Sequence, residues 1–227
     1  MNIAMIPARM GSQRLRQKNL RELNGVPLIA HAIRKSLAAG VFDEVWVNSE
    51  HPAFGEIAEA EGVQFHKRPA KLADNNATSE EFVHEFLTCH PCDYLFQVHS
   101  IAPLLSAAQV SEFVKGMIGG GFDVFLSVVR EQIECVIDGK PINFSFETKT
   151  NSQELTPVDR IVWSITGWRC PNYVAAFEAG KCATYAGKIG YFSIDRMAGH
   201  IIKYEEDLIL AETMLKAKEE ASKVAQQ

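Results

Sequence analysis

Asn2-Ile3-Ala4-Met5-Ile6-Pro7 runs directly into Ala8-Arg9-Met10-Gly11-Ser12-Gln13-Arg14-Leu15-Arg16-Gln17-Lys18-Asn19-Leu20, and an amphipathic stretch, Pro27–Ala39, follows. An apolar run, a polar loop and a helical period, in that order, open an α/β sheet. The proline at the start of the helical stretch and Gly40 just beyond it suit the two ends of a helix. The pattern repeats downstream. Glu44–Val47, Val63–Phe65, Tyr94–Val98 and Val124–Val129 read as strands, and Ala53–Glu61, Phe82–Cys89 and Ala107–Met117 as helices. Such alternation predicts βαβ units and a mostly parallel, Rossmann-like sheet flanked by helices. Ser79 reads as the N-cap of the third helix.

The rhythm breaks after Arg130. Residues 131–170 hold turn signals at Asp138–Gly139 and Lys140–Pro141. They also hold short β-like runs at Cys135–Ile137, Asn143–Phe146 and Ile161–Ile165. This range reads as a small β-rich arm on one domain spanning 1–227. Beyond it, 171–180 reads as helix, Ile189–Ile194 and His200–Lys203 as short strands, and Glu205–Val224 as a long closing helix rich in Ala, Leu, Glu and Lys.

Composition narrows the function. Of 227 residues, 47% are apolar and 22% charged, the balance of a globular domain and not of a disordered chain. With 23 Lys and Arg against 28 Asp and Glu, the net charge is −5, which disfavours a nucleic-acid surface. No apolar run approaches the ~20 residues of a membrane span. The N-terminus lacks the pattern of a signal peptide, so a cytoplasmic location is expected. Five cysteines imply no disulfide framework. Cys89-His90-Pro91-Cys92 has no second ligand pair for zinc and reads as structural.

The acidic total hides a local excess of the other sign. Arg9, Arg14, Arg16 and Lys18 sit in one loop at the carboxyl end of the first strand, where α/β sheets bind ligands. Cations of this kind suit a polyphosphate. Gly11 admits close backbone approach, and Ser12 adds a hydroxyl. The loop is neither a Walker A motif nor a dinucleotide fingerprint, since GxxxxGK[ST] and GxGxxG are both absent.

Ile6-Pro7-Ala8-Arg9-Met10-Gly11-Ser12 through Leu20, then Leu23-Asn24-Gly25-Val26-Pro27-Leu28-Ile29, resembles the opening of the CMP-sugar cytidylyltransferases, the acylneuraminate (nonulosonate) branch in particular. CMP-Kdo synthetases tend to carry Lys-Pro at Lys18–Asn19. The resemblance continues at Arg68-Pro69-Ala70-Lys71-Leu72-Ala73, Thr78–Ser79, Ala102-Pro103-Leu104, Ser152 to Val158 and Glu205-Glu206-Asp207-Leu208. It implies an α/β nucleotidyltransferase that acts as a homodimer through the arm. The implied reaction takes CTP and a 2-keto-3-deoxy sugar acid to a CMP-sugar and pyrophosphate with Mg²⁺. Arg9 and Lys18 are then the catalytic cations, with Arg14 beside them. Ser12 and the backbone at Gly11 support the triphosphate, and Ala8, Arg68 and Ser79 hold the cytidine. Asn19 shapes the loop or touches the nucleotide.

On the acceptor side the resemblance points to His99, Gln153, Thr166 and Trp168. Leu105 stands where relatives often carry Arg. Relatives also often carry two metal-binding acids where this chain has Ile201 and Lys203. Asp195 and Asp207 are the nearby acids, and Asp207 is the candidate metal ligand. Two other readings stay open: a catalytically weak nucleotide-binding paralogue, and a cytidylyltransferase with a different acceptor.

Overall fold

The computed structural model describes residues 1–74 and 76–224, with the backbone alone for residues 219 and 221–224. Seven strands form one sheet: β1 Asn2–Pro7, β2 Glu44–Ser49, β3 Gln64–Lys67, β4 Tyr94–Val98, β5 Val124–Glu131, β6 Val158–Arg169 and β7 Ile189–Ser193. Their spatial order is β7-β5-β6-β4-β1-β2-β3. Every neighbouring pair is parallel except those made by β6, which runs antiparallel to both β4 and β5. The helices are α1 Leu28–Ala39, α2 Pro52–Ala60, α3 Ser79–Cys89, α4 Ala107–Gly120, α5 Cys170–Glu178 and α6 Glu205–Val224.

The first strand shows why the sheet is sandwiched. Ala4 and Ile6 pack with α1, α2 and α4 residues such as Ile33, Phe54 and Phe113. Ile3 and Met5 face the other way, among Val83 and Phe86 of α3 and Tyr173 of α5. All four β1 residues are fully buried. At about 1.5–3 kcal/mol for each fully buried large apolar side chain, this strand alone contributes substantially to stability. A third cluster joins Leu15 and Leu23 of the first loop to Ile202, Leu208 and Ala211, and so ties α6 to that loop. No helix among the described residues is long and apolar enough to cross a membrane.

Several local readings change. Thr78 is the N-cap of α3, in a capping box with Glu81, and Ser79 is the first helical residue. A Thr with Glu three residues on satisfies two backbone donors reciprocally, which Ser79 followed by Phe82 does not. Helix α4 continues through Gly119 and Gly120 to a left-handed cap at Gly121. His200–Lys203 forms no regular strand.

The range 131–170 divides in two. Residues 158–169 are an inner strand of the main sheet, and 132–157 lie outside it. There Val136–Ile137 and Lys140–Pro141 make a tight hairpin around Asp138 and Gly139, both with positive φ.

Between Ile161 and Thr166 the register of β6 against β5 shifts. Buried Ser127 fills the resulting bulge, donating to the carbonyls of Val162 (2.5 Å) and Ile165 (2.8 Å). Bulges re-aim side chains, and this one contains Trp163. Just past it, a Cβ on Gly167 would lie 2.5 Å from Met117 Sδ and 2.9 Å from Phe96. Gly167→Ala therefore forces the buried Met117 and Phe96 side chains to shift. The expected loss is about 1–3 kcal/mol, read as a lower urea midpoint with an unchanged slope.

Candidate active site

Two adjoining cavities open at the carboxyl ends of β1 and β4. The first, about 370 Å³, is lined by Ala8, Arg9, Ser12, Arg14, Lys18, Asn19, Arg68 and Ser100, among others. The second, about 300 Å³, is lined by Ser79, Gln97, Trp163, Trp168, Tyr173, Thr184, Ile201 and Lys203. Arg14, Lys18, Phe82, His99 and Ile101 belong to both.

The first loop is held in shape by partners from three other segments, 48–50, Arg68 and Ser100. The Ala8 amide donates to Asn48 O (3.0 Å) and the Met10 amide to Glu50 Oε1 (2.8 Å). Buried Asn19 donates to the Arg9 carbonyl (3.2 Å) and accepts from Ser100 Oγ (2.7 Å). Asn19 thus shapes the loop. Arg68, 4% exposed, donates to Ala8 O (2.7 Å) and to Glu50 Oε2 (3.2 Å), and its guanidinium lies 4.7 Å from the Phe82 ring centre. Its Nε has no hydrogen-bond partner among the described residues.

Lys18 stands at the junction of the cavities and donates to Ile202 O (3.3 Å). Burial lowers its pKa, and the charges of Arg14, Arg9 and Lys203 push the same way. A bound anion relieves that repulsion. His99 follows β4, and its pKa is pushed down to about 4 by burial and then by Lys18. It is therefore neutral near pH 7. Its Nε2 is buried without a hydrogen-bond partner among the described residues, as is Nε2 of Gln97.

The expected site residues separate. Ala8, Arg9, Ser12, Arg14, Lys18, Asn19 and Arg68 all line the first cavity. Ser79 lines the second cavity, not the first. Gly11 lines neither cavity, and a Cβ there would meet no protein atom within 4 Å. His99 and Trp168 line the second cavity, and Trp168 Nε1 donates to Thr184 O (3.1 Å). Thr166 is buried opposite Gln97 in the β4–β6 ladder, with its hydroxyl unpaired among the described residues, but does not itself reach the lining. Gln153 is exposed on the arm, outside both cavities, and its carbonyl accepts from Gln132.

Asp207 does a different job from the one expected. Its Oδ2 accepts from the amides of Lys203 (2.8 Å) and Tyr204 (2.9 Å) and so fixes the start of α6. It lines a neighbouring hollow with His200 and Lys203. Asp195 caps Ala198 and accepts from Gln109. Neither cavity has an Asp or Glu in its lining. Among the described residues no group of three or more His, Cys, Asp and Glu is arranged to hold a metal. A hard divalent cation takes oxygen ligands, carboxylates above all, and the side chains gathered here are instead cationic. The donor set does not fit the Mg²⁺ site that the resemblance implies.

Reading the sequence alone missed Gln97, Phe82, Glu50 and Trp163. Gln97 had a signal, a lone amide in a strand buried on both faces. Trp163 had none, because the bulge that turns it depends on Ser127 of a neighbouring strand.

A mostly parallel sheet carrying a cation-lined cavity at its carboxyl edge defines a nucleotide-binding α/β protein. Residues 3–151 match the cytidylyltransferase family, and the chain belongs to that family. It is 34% identical over 128 residues to N-acylneuraminate cytidylyltransferase A of Danio rerio, covering 56% of this chain and 30% of that protein. It is 32% identical over 161 residues to the N-acylneuraminate cytidylyltransferase of Escherichia coli, covering 69% of this chain and 34% of that protein. The chain thus spans about a third of the length of these curated relatives. Its fold is shared with a CMP:2-keto-3-deoxy-manno-octonic acid synthetase solved with CTP. That likeness has a TM-score of 0.72 at 18% identity, covering 96% of this chain and 99% of the other.

Proposed function

We propose that this chain transfers CMP from CTP to a 2-keto-3-deoxy sugar acid of the N-acylneuraminate type. The observation that carries this is the pair of cavities meeting at Lys18 and His99. The first suits a nucleoside triphosphate, with Arg9, Arg14 and Lys18 toward the phosphates and Ser12 beside them. Arg68 Nε and the backbone at Ala8 lie toward the base. The second, walled by Trp163 and Trp168, suits the acceptor.

In the reaction, the anomeric hydroxyl oxygen of the acceptor bonds to the α-phosphorus. The bond from that phosphorus to the bridging oxygen breaks, and its electron pair leaves with pyrophosphate. The hydroxyl proton leaves to solvent. His99, whose pKa burial pushes down to about 4, is too weak a base to hold that proton and stands neutral where the two cavities meet, a hydrogen-bonding group for the acceptor. The protein contributes position and charge neutralisation. Mass spectrometry after incubation with CTP and a panel of such acids tests the reading. A CMP-linked acid is expected, and no product with any of them overturns it.

A second reading is favoured by Lys203: a nucleotide-binding paralogue with weak catalysis. It predicts CTP binding without turnover. Metal-dependent activity gained by Ile201→Asp with Lys203→Asp identifies a decayed enzyme.

Homodimer formation through the arm is part of the proposal. Val136, Ile137, Ile142 and Phe146, all within 132–157, are each more than half exposed, and grouped exposed apolar side chains of this kind mark interaction surfaces. Sedimentation is expected to give twice the chain mass, and a monomer at micromolar concentration removes this assignment. Cytoplasmic placement accords with the proposed substrates and is checked by fractionation.

A further inference from the structure

In-line displacement at an α-phosphorus needs the triphosphate's charge neutralised. A divalent cation held by carboxylates is one solution. The side chains at this site supply another.

The backbone at 202–203 is pinned from several sides. Ile202 is fully buried, its amide donates to Ile101 O (2.9 Å), and its carbonyl accepts from Lys18 Nζ (3.3 Å). The Lys203 amide is held by Asp207. This anchoring places Lys203 on the lining of the second cavity with Lys18 and Arg14. Neither Lys203 nor Arg14 forms an ion pair within 4.0 Å among the described residues, although the charge of Lys203 reaches Asp207, which shares the neighbouring hollow with it and His200. The field of Lys203 reaches Lys18 and helps lower its pKa.

The acids that might hold a metal are committed elsewhere. Glu50 takes Arg68 and the Met10 amide, and Glu80 takes the Thr184 amide (2.6 Å). Asp195 and Asp207 cap backbone turns.

We propose that Lys203, acting with Lys18 and Arg14, takes the place of a carboxylate-held metal. The protein then contributes no side-chain ligand to a divalent ion, and any such ion arrives only on the nucleotide. This rests on the CTP reading above.

The test is calorimetric titration of CTP into the whole chain, in Mg²⁺ and in EDTA, with Mn²⁺ alone titrated and followed by electron paramagnetic resonance. CTP affinity is expected to agree within about threefold between the two buffers. Mn²⁺ without nucleotide is expected to stay free. Lys203→Ala is expected to weaken CTP binding in EDTA by about 10-fold or more, the scale of one lost charge-assisted hydrogen bond. Because Lys203 is exposed, this variant should melt with the parent. The inference is overturned if CTP binds only with Mg²⁺, if Mn²⁺ binds alone, or if Lys203→Ala binds CTP normally in EDTA. Failure of CTP to bind in either buffer overturns the CTP reading and this inference together, which sets that outcome apart from the other three.

Discussion

Lys18→Ala is expected to lower kcat/KM for CTP by about 100-fold or more, the usual scale for removing a preorganised group aimed at developing charge. Among the described residues, Lys18 and Arg14 are the two cations that line both cavities, so under the proposed reading Lys18 stands between the triphosphate and the acceptor. Half-buried and hydrogen-bonded to Ile202 O, it is already oriented before nucleotide binds. Its lowered pKa has a consequence for pH. As pH rises toward that value the lysine loses its proton in the free protein, so CTP affinity is expected to fall on the alkaline side earlier than for an ordinary lysine. A bound triphosphate shifts the pKa back up, so binding at alkaline pH takes up protons. Steady-state kinetics with pyrophosphate detection measures the first effect, and calorimetry in buffers of different ionisation enthalpy the second. A Lys18→Ala variant within threefold of the parent would remove Lys18 from the machinery.

Arg68→Ala is expected to damage the fold as much as the site. The side chain is 4% exposed and joins three things: the Ala8 carbonyl, the Glu50 carboxylate and the Phe82 ring. Removing it leaves Glu50, whose side chain is 16% exposed, without its cation. Breaking such a pair costs about 3 kcal/mol, or about 6–12 °C in Tm for a domain of this size. Arg68→Lys keeps the charge but cannot reproduce the planar fork over Phe82, so only part of the loss returns. Arg68→Ala combined with Glu50→Gln should melt above Arg68→Ala alone, because no unpaired carboxylate remains. Thermal melts of the three variants check this. An Arg68→Ala protein melting with the parent contradicts the anchoring role.

Much of the frame was legible in the sequence because periodicity is local. The run Asn2–Pro7 forms a strand with those bounds, and Glu205–Val224 a helix with those bounds. That three cations would share one cavity was legible for the same reason: Arg9, Arg14 and Lys18 lie within one loop after one strand. What escaped depends on contacts between distant segments. Residues 158–169 were read as part of an arm because the strand–helix rhythm breaks after Arg130 and only short β-like runs, Ile161–Ile165 among them, follow. What interrupts the strand is the bulge filled by Ser127, which the sequence of β6 alone cannot show. Arg68 looked like a nucleotide ligand and is first of all an anchor, since its acceptors, Ala8 and Glu50, lie 60 and 18 positions away. Asp207 looked like a metal ligand because it stands near the expected acids. Its carboxylate turns back to the amides of 203 and 204, a local cap that any Asp at the third helical position can make.

A crystal structure of the chain with CTP tests the central claim most directly. The account predicts the triphosphate in the 370 Å³ cavity, against Arg9, Arg14 and Lys18, with its α-phosphorus facing the second cavity near His99. Nucleotide lying outside that cavity, or with its phosphates directed away from Lys18, would contradict it.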